Sequence, residues 1–246
     1  MRHEGNGAGM SRRVAIVTGA SRGIGRAVAA RLAREGHDLV LAARTEADLA
    51  DAAVECEAAG ARALPVRCDV SREEDVLALF EKTRAQFGRL DVLVNNAGVG
   101  VFKPIVETSL ADYERVMGVN LKGAFLCARE AMRAMTAGGG GTIVNIASVV
   151  GIKGYPGQGV YTASKHGLVG LSKVLAAEGQ PHGVRVHVIC PGGVATGLVG
   201  QARPDIDPSE LLRPEDVADL VAYLLGLPPR AMVDLVHLRR ATSGPF

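Results

Sequence analysis

Tyr161 and Lys165 stand four residues apart in the stretch YTASKHGLVG, residues 161–170. On a helix that spacing puts both side chains on one face, about 6 Å apart along the axis. A free phenol, with a pKa of about 10, is a poor base at neutral pH. A cation one helical turn away stabilises the phenolate and draws the pKa toward the working range, which makes the pair a proton-transfer device. Ordinary helix surfaces carry the same spacing, so the reading needs further parts. Ser148 is one of them: it closes an apolar run that reads as a strand, and its hydroxyl can hydrogen-bond an oxygen on which charge develops.

The stretch VTGASRGIG, residues 17–25, follows the first apolar run and opens a helical pattern. Gly19, Gly23 and Gly25 would let backbone approach a pyrophosphate, whose charge favours a helix N-terminus. Glycines also serve close helix–sheet packing, and the spacing here is Gly-x-x-x-Gly-x-Gly. The second apolar run ends in Ala43 and Arg44, where an acidic residue would accept from a ribose 2′-OH. Together with Arg22, that leaves two guanidiniums and no carboxylate, which suits a 2′-phosphate held by forked, charge-assisted hydrogen bonds. At about 1.5–3 kcal/mol per charged hydrogen bond, one arginine supplies roughly a 10- to 150-fold preference. The alternative is two solvated loop arginines.

These groups need a scaffold, and the apolar pattern describes one. Nearly continuous apolar runs at 13–19, 38–44, 61–69, 90–98, 141–148, 184–192 and 231–238 read as strands buried on both faces. Helical periodicities lie between them, often ending at glycine. Ser71 and Glu74 have capping-box spacing, and Pro214 suits a first helical turn. Repeated βα units predict an α/β fold of one domain, residues 12–246: a doubly wound, mostly parallel seven-stranded sheet with helices on both faces. Residues 1–11 read as a flexible leader. In such sheets ligands bind beyond the carboxyl ends of the strands, where the glycine turn, Arg44 and Ser148 all fall.

Composition narrows the function. A net charge of +2 over 246 residues gives no footprint for nucleic acid, and blocks of like charge are absent. No apolar run approaches the roughly 18 residues needed to cross a bilayer, and the first residues lack the apolar core of a signal peptide. Four separated cysteines and six histidines show neither CxxC, HExxH nor other paired ligand spacing, so no metal site is expected. A cytoplasmic protein with no nucleic-acid or membrane partner follows. Tyr113 and Tyr223 fall on helical apolar periods and read as packing residues. His166 points about 100° away from Lys165 around the helix and reads as peripheral. Tyr155, in the loop GIKGYPG between Ser148 and Tyr161, either reaches substrate or is simply exposed. Gly179 reads as an early helix stop.

Taken in order, TGASRGIG (18–25), CDV (68–70), NNAG (95–98), Asn120, Ser148, YTASK (161–165) and PGGVAT (191–196) resemble the short-chain dehydrogenase/reductase family, from about Arg12 to about Leu238. The likeness is to NADP(H)-preferring members such as 3-oxoacyl-(acyl-carrier-protein) reductase-like oxidoreductases. It implies a Rossmann fold and an NADPH-dependent carbonyl reductase or alcohol dehydrogenase, acting on a 3-oxoacyl thioester or a related ketone or aldehyde. By this resemblance Tyr161 is the acid/base, Ser148 holds the substrate oxygen, and Lys165 binds the nicotinamide ribose and lowers the tyrosine pKa. Asn120 positions a water in a proton relay; its other reading is a helix kink or a local backbone bond. Ser21, Arg22, Ile24 and the turn glycines join the cofactor contacts with Arg44. Asp69 and Val70 contact the adenine, Asn96, Ala97 and Gly98 line the cofactor, and Pro191, Gly192, Val194 and Thr196 flank the nicotinamide. NADP(H) is expected over NAD(H), and a homotetramer, a dimer of dimers, through the helices carrying Asn120 and Tyr161.

Two stretches depart from the family. GLVGQARPDIDPSELL, residues 197–212, is a short substrate lid with few aromatics, and implies an open site. AMVDLVHLRRATSGPF, residues 231–246, replaces the VDGG of many acyl-carrier-protein reductases. That change argues against fatty-acid synthesis and resembles broad-specificity or 3-hydroxy-acid members. An NADP-dependent 3-hydroxy-acid dehydrogenase of serine type, working oxidatively, is the alternative, with a non-catalytic dinucleotide-binding regulator behind it. The regulator would not need Ser148, Tyr161 and Lys165 together.

Overall fold

In the computed structural model, which describes residues 12–202 and 206–244, the apolar runs become β1 (Val14–Thr18), β2 (Asp38–Ala43), β3 (Ala63–Arg67), β4 (Val92–Asn95), β5 (Gly141–Ile146), β6 (Val184–Pro191) and β7 (Leu235–Leu238). They lie in the order β3-β2-β1-β4-β5-β6-β7 with every pairing parallel. The expected leader, residues 203–205 of the expected lid and the last two residues lie outside the described part.

Alternation along β1 shows why the strands are apolar throughout. Ala15 and Val17 pack into a core shared with the helices Gly23–Arg34 (α1), Glu46–Ala58 (α2) and, further along the chain, Pro214–Leu225 (α8). Val14 and Ile16 face the opposite layer, formed by Glu73–Phe87 (α3), Leu110–Met117 (α4), Ala124–Gly138 (α5) and Gly159–Gly179 (α6). Each strand residue is therefore covered, whichever way it points. The result is one Rossmann-type domain. Its strand order reverses between β1 and β4, which opens a crevice at their carboxyl ends.

The long helix read around Asn120 is interrupted. Residues Gly118–Gly123 form a π-helical turn between α4 and α5, a widened loop of backbone that frequently accompanies a functional site. Beneath it runs a buried polar chain. Asn95 Nδ2 donates to Asn145 Oδ1 at 2.9 Å and to the Ala124 carbonyl at 3.2 Å, while Asn145 Nδ2 donates to Ser172 Oγ at 2.7 Å. Ser172 in turn donates to the Leu168 carbonyl. The chain ties β4 to β5, α5 and α6, with each side-chain amide partnered.

Several local expectations are corrected. Ser71 caps no helix: α3 begins at Glu73, Ser71 Oγ donates to Asp69 at 2.7 Å, and Asp75 accepts from the Asp69 amide. A capping box does occur at Ser109 and Asp112, at the start of α4. Tyr113 and Tyr223 are exposed, because Val116 fills the core contact of α4 and a run from Val217 to Leu225 fills that of α8. Gly179 is the last residue of α6, and a Cβ there would come within 2.9 Å of the Val184 carbonyl. Its glycine answers a close approach of helix and strand. The last strand begins at Leu235, four residues later than the apolar run suggests. Pro214 does open α8.

Asn145→Ala removes the middle of the buried chain and leaves Asn95 and Ser172 short of partners. Urea unfolding should show a loss of about 1–3 kcal/mol, the cost of unsatisfied buried groups; an unchanged midpoint would refute the structural role of the chain.

Candidate active site

A cleft of about 1140 Å³ runs along the carboxyl edge of the sheet, from the ends of β2 and β3 to the end of β7. Its floor at the switch point is the glycine turn. Gly19 and Gly23 have φ of 67° and 55°, the left-handed region that a side chain strains. Gly25 does not line the cleft. A Cβ on it would come within 2.5 Å of Asn96 Nδ2 and would strike the Gly19 carbonyl. Of the two sequence readings of these glycines, Gly25 serves packing, and Gly19 and Gly23 serve the turn.

Asn96 locks that turn to β4. Its side chain donates to the carbonyls of Thr18 at 2.9 Å and Gly19 at 3.3 Å, while its amide and that of Ala97 both donate to Thr18 Oγ1 at 3.0 Å. At the β2 end, Arg22 and Arg44 line the cleft, both exposed, and neither side chain makes a hydrogen bond or ion pair among the described residues. Asp69 faces Arg44. Burial raises the Asp69 pKa, but two bonds from Ser71 and the charges of Arg44 and Arg72 outweigh it and hold the carboxyl below its usual range. Val70 sits beside it in the lining, as do Ser21 and Ile24.

Ser148, Tyr161 and Lys165 converge at the middle of the cleft. Ser148 follows β5 and is within hydrogen-bonding reach of the Tyr161 phenol. Lys165 is 3% exposed; its Nζ donates to the Ile146 carbonyl at 2.9 Å and lies 5.8 Å from the centre of the tyrosine ring. The ring of Phe102 meets Tyr161 edge to face at 5.7 Å. The sequence predicts a phenol drawn toward neutrality by the lysine. Here burial dominates both groups: it pushes Tyr161 up to about 12, against a lowering by Ser148, and pulls Lys165 down to about 8. The ammonium is aimed at a backbone carbonyl, and low polarity around both groups disfavours either charge.

Asn120 lies behind this group and not in the cleft lining. Its Nδ2 donates to the Val99 carbonyl at 2.9 Å and to Ser164 Oγ at 3.0 Å, and its Oδ1 accepts from the Val99 amide at 2.8 Å. Asn120 sits at a helix irregularity, as one reading expects, but its backbone bonds are long-range ones to Val99, 21 residues away, rather than local. It also approaches the site, since a Cβ built on Gly98 would stand 3.6 Å from Asn120 Oδ1 and 3.7 Å from Lys165 Nζ.

Pro191, Gly192, Val194 and Thr196 form the wall beyond β6, and Tyr155 faces the cleft from the loop after β5. The segment after β6 includes a helix Gly197–Ala202 (α7) and returns so that Leu212 bridges Val194. Sequence reading missed Phe102, which lies outside the recognisable motifs, and gave no role to Ser164, which lies inside YTASK. It also missed that Arg239, Arg240 and Ser243, in the departing terminal stretch, line the cleft. His166 is exposed and bonds the Thr162 carbonyl, away from the site.

The family model for short chain dehydrogenases matches residues 13–207. A cis-4-hydroxycyclohexanecarboxylate dehydrogenase of Sinomonas cyclohexanicum is 40% identical over 228 residues, covering 89% of this chain and 91% of its own. A 3-oxoacyl-[acyl-carrier-protein] reductase of Synechocystis is 38% identical over 230 residues, 91% of this chain and 93% of the relative. Among solved structures, an alcohol dehydrogenase from the archaeon Thermococcus sibiricus, complexed with 5-hydroxy-NADP, superposes with a TM-score of 0.89 at 33% identity, over 96% of this chain and 99% of that one. With likeness of this extent, the chain belongs to the short-chain dehydrogenase family, oxidoreductases that act on alcohol and ketone groups.

Proposed function

We propose that this protein is an NADPH-dependent carbonyl reductase acting on a 3-oxoacyl compound or a related ketone or aldehyde. The observation that carries the reading is the convergence of Ser148, Tyr161 and Lys165 beside the glycine turn, on the ligand edge of the sheet. The residues present fit a dinucleotide. Gly19, Ser21, Arg22, Gly23 and Ile24 would hold the pyrophosphate, Asp69 and Val70 the adenine, and Asn96, Ala97 and Gly98 the connecting ribose. Pro191, Gly192, Val194 and Thr196 would flank the nicotinamide. Arg22 and Arg44 are free to grip a 2′-phosphate in a place where the competing acidic residue is missing. The likeness to a dehydrogenase solved with 5-hydroxy-NADP supports that choice.

When bound, the reduced nicotinamide supplies the hydride. Ser148 donates a hydrogen bond to the substrate oxygen as charge develops on it. Tyr161, which keeps its proton up to about pH 12, delivers that proton to the same oxygen. Lys165 remains a cation below about pH 8; it steadies the phenolate left behind and returns a proton toward it. Asn120 holds the π-helical turn against Val99, and the remaining acceptor site on its Oδ1 would position a water in the proton relay. Phe102 keeps water from the side of the phenol. Tyr155 contributes a substrate contact from its loop. A protonated tyrosine beside a cationic lysine at neutral pH favours reduction over oxidation.

Two further parts of the reading concern the whole molecule. No helix among the described residues is long and apolar enough to cross a membrane, and the four cysteines are free and buried, which supports a reducing, cytoplasmic setting. Leu110, Tyr113, Phe125 and Val174 expose apolar surface on α4, α5 and α6, the helices on which a homotetramer would assemble.

Tyr161→Phe should lower kcat by at least 10³-fold, on the order of general acid–base effects, with NADPH binding near normal. In the wild type, reductive kcat/KM should hold through neutral pH and fall as the pH rises through about 8, where Lys165 loses its charge. The oxidative rate, which needs the phenol deprotonated, should rise only as the pH approaches the phenol's own pKa of about 12. Unchanged kcat in the variant, or a reductive rate climbing from pH 7 to 9, would overturn the acid/base assignment. Arg44→Asp should shift the NADPH/NADH ratio of kcat/KM toward NADH by roughly 10- to 150-fold; an unmoved ratio refutes the 2′-phosphate site. Sedimentation at micromolar protein should show a tetramer, and a monomer there would exclude the proposed assembly.

A further inference from the structure

The cleft carries positive charge at both ends, and the cofactor reading uses one of them. At the other end β7 pairs with β6 so that His237 stands opposite Cys190 and Leu238 opposite Pro191. Paired residues of neighbouring parallel strands point to the same face. Cys190 faces Ser148 and Lys165, whereas Val236 and Leu238 pack into the core beneath α1 and α8. His237 therefore lies on the side of the reacting groups, one strand spacing of about 4.8 Å beyond Cys190. Arg239 emerges on that same side by alternation, and Lys153 reaches in from the loop that follows Ser148. Burial first, then the charges of Lys153 and Arg239, hold the His237 imidazole below its usual range, which places the three groups together.

No protein carboxylate answers Lys153 or Arg239 among the described residues. Lys153 makes no ion pair, and Arg239 donates to the carbonyls of Arg240, Ala241 and Ser243. The neighbouring Arg240 takes the local acid, Glu210, at 3.6 Å. The one carboxylate among the described residues lining the cleft is Asp69, at the far end beside Arg44. Both cations are half-buried, and partly desolvated charge without a counter-ion favours an anionic ligand. Two strand spacings, about 10 Å, separate β5 from β7. A carboxylate held by Lys153 and Arg239 would thus stand a few bonds from a carbonyl held at Ser148.

We infer that Lys153 and Arg239 form a subsite for a substrate carboxylate, so that the enzyme takes an oxo acid, and the matching hydroxy acid in reverse, in preference to a neutral ketone. The inference rests on the reductase reading for the place of the carbonyl. In turnover with NADPH, 3-oxobutanoate, 4-oxopentanoate and 4-oxocyclohexanecarboxylate should each be compared with their methyl esters. At least one acid should exceed its ester in kcat/KM by about 10- to 150-fold, the range of one charge-assisted hydrogen bond. Lys153→Met and Arg239→Met, on separate elements, should each collapse that ratio, chiefly through KM for the acid. Esters equal to or better than the acids, or a ratio that survives both variants, would overturn the subsite. Calorimetric titration of the NADPH-saturated protein with the same pairs reads binding without turnover. Acid binding stronger than ester binding, with neither turned over, would sink the reductase reading and keep the subsite; equal binding of acid and ester would sink the subsite alone.

Discussion

The site depends on one crossing of hydrogen bonds between two strands far apart in sequence. Thr18 ends β1, and its hydroxyl accepts from the amides of Asn96 and Ala97 just after β4, while the Asn96 side chain returns bonds to the carbonyls of Thr18 and Gly19. This clamp sits where the strand order reverses, so it holds open the crevice that any doubly wound sheet offers. It also explains the tight glycines: with Asn96 pressed against the turn, neither Gly19 nor Gly25 has room for a Cβ. The geometry of the glycine turn is thus a product of the same contacts that close the core.

A second constraint is desolvation. Lys165 and Tyr161 are buried together near the middle of the cleft, and burial works against charge on each. A lysine whose pKa falls while it remains cationic at neutral pH, beside a phenol that stays protonated, is set for giving a proton. The buried asparagine chain under the π-helical turn serves this arrangement from below, since it fixes α5 and α6 to the central strands with all side-chain amides satisfied. The cleft carries cations at both ends: Arg22 and Arg44 at the β2 end, and Lys153 and Arg239 at the β7 end.

Most of the fold was legible because burial on both faces leaves a plain mark: seven apolar runs, interrupted by helices of ordinary period, admit few arrangements. The motif-bearing site residues were legible for a related reason. Ser148, Tyr161, Lys165 and the glycine turn fall at strand ends and helix starts, where a doubly wound sheet collects its ligands. Phe102 was not legible, because an aromatic in a loop carries no signature until its neighbours are known, and the contact of Ser164 with Asn120 was hidden although Ser164 lies within YTASK. The exposure of Tyr113 and Tyr223 was misread for the converse reason: helical period names a face, and the core was already filled by smaller residues.

By itself, then, the sequence determined the class of fold, the order of its elements and the placing of Tyr161 and Lys165 on one helix face, all of which follow from local period and local spacing. Only the tertiary structure decided what those groups meet. It set Lys165 against the Ile146 carbonyl, so that burial prevails over the expected depression of the tyrosine pKa. It turned Asn120 inward onto Val99 and Ser164, and brought Lys153 and Arg239, 86 residues apart in the chain, near enough for both charges to act on His237. Charge and solvation act through space, and spacing along a chain says nothing about distance once the strands have crossed over.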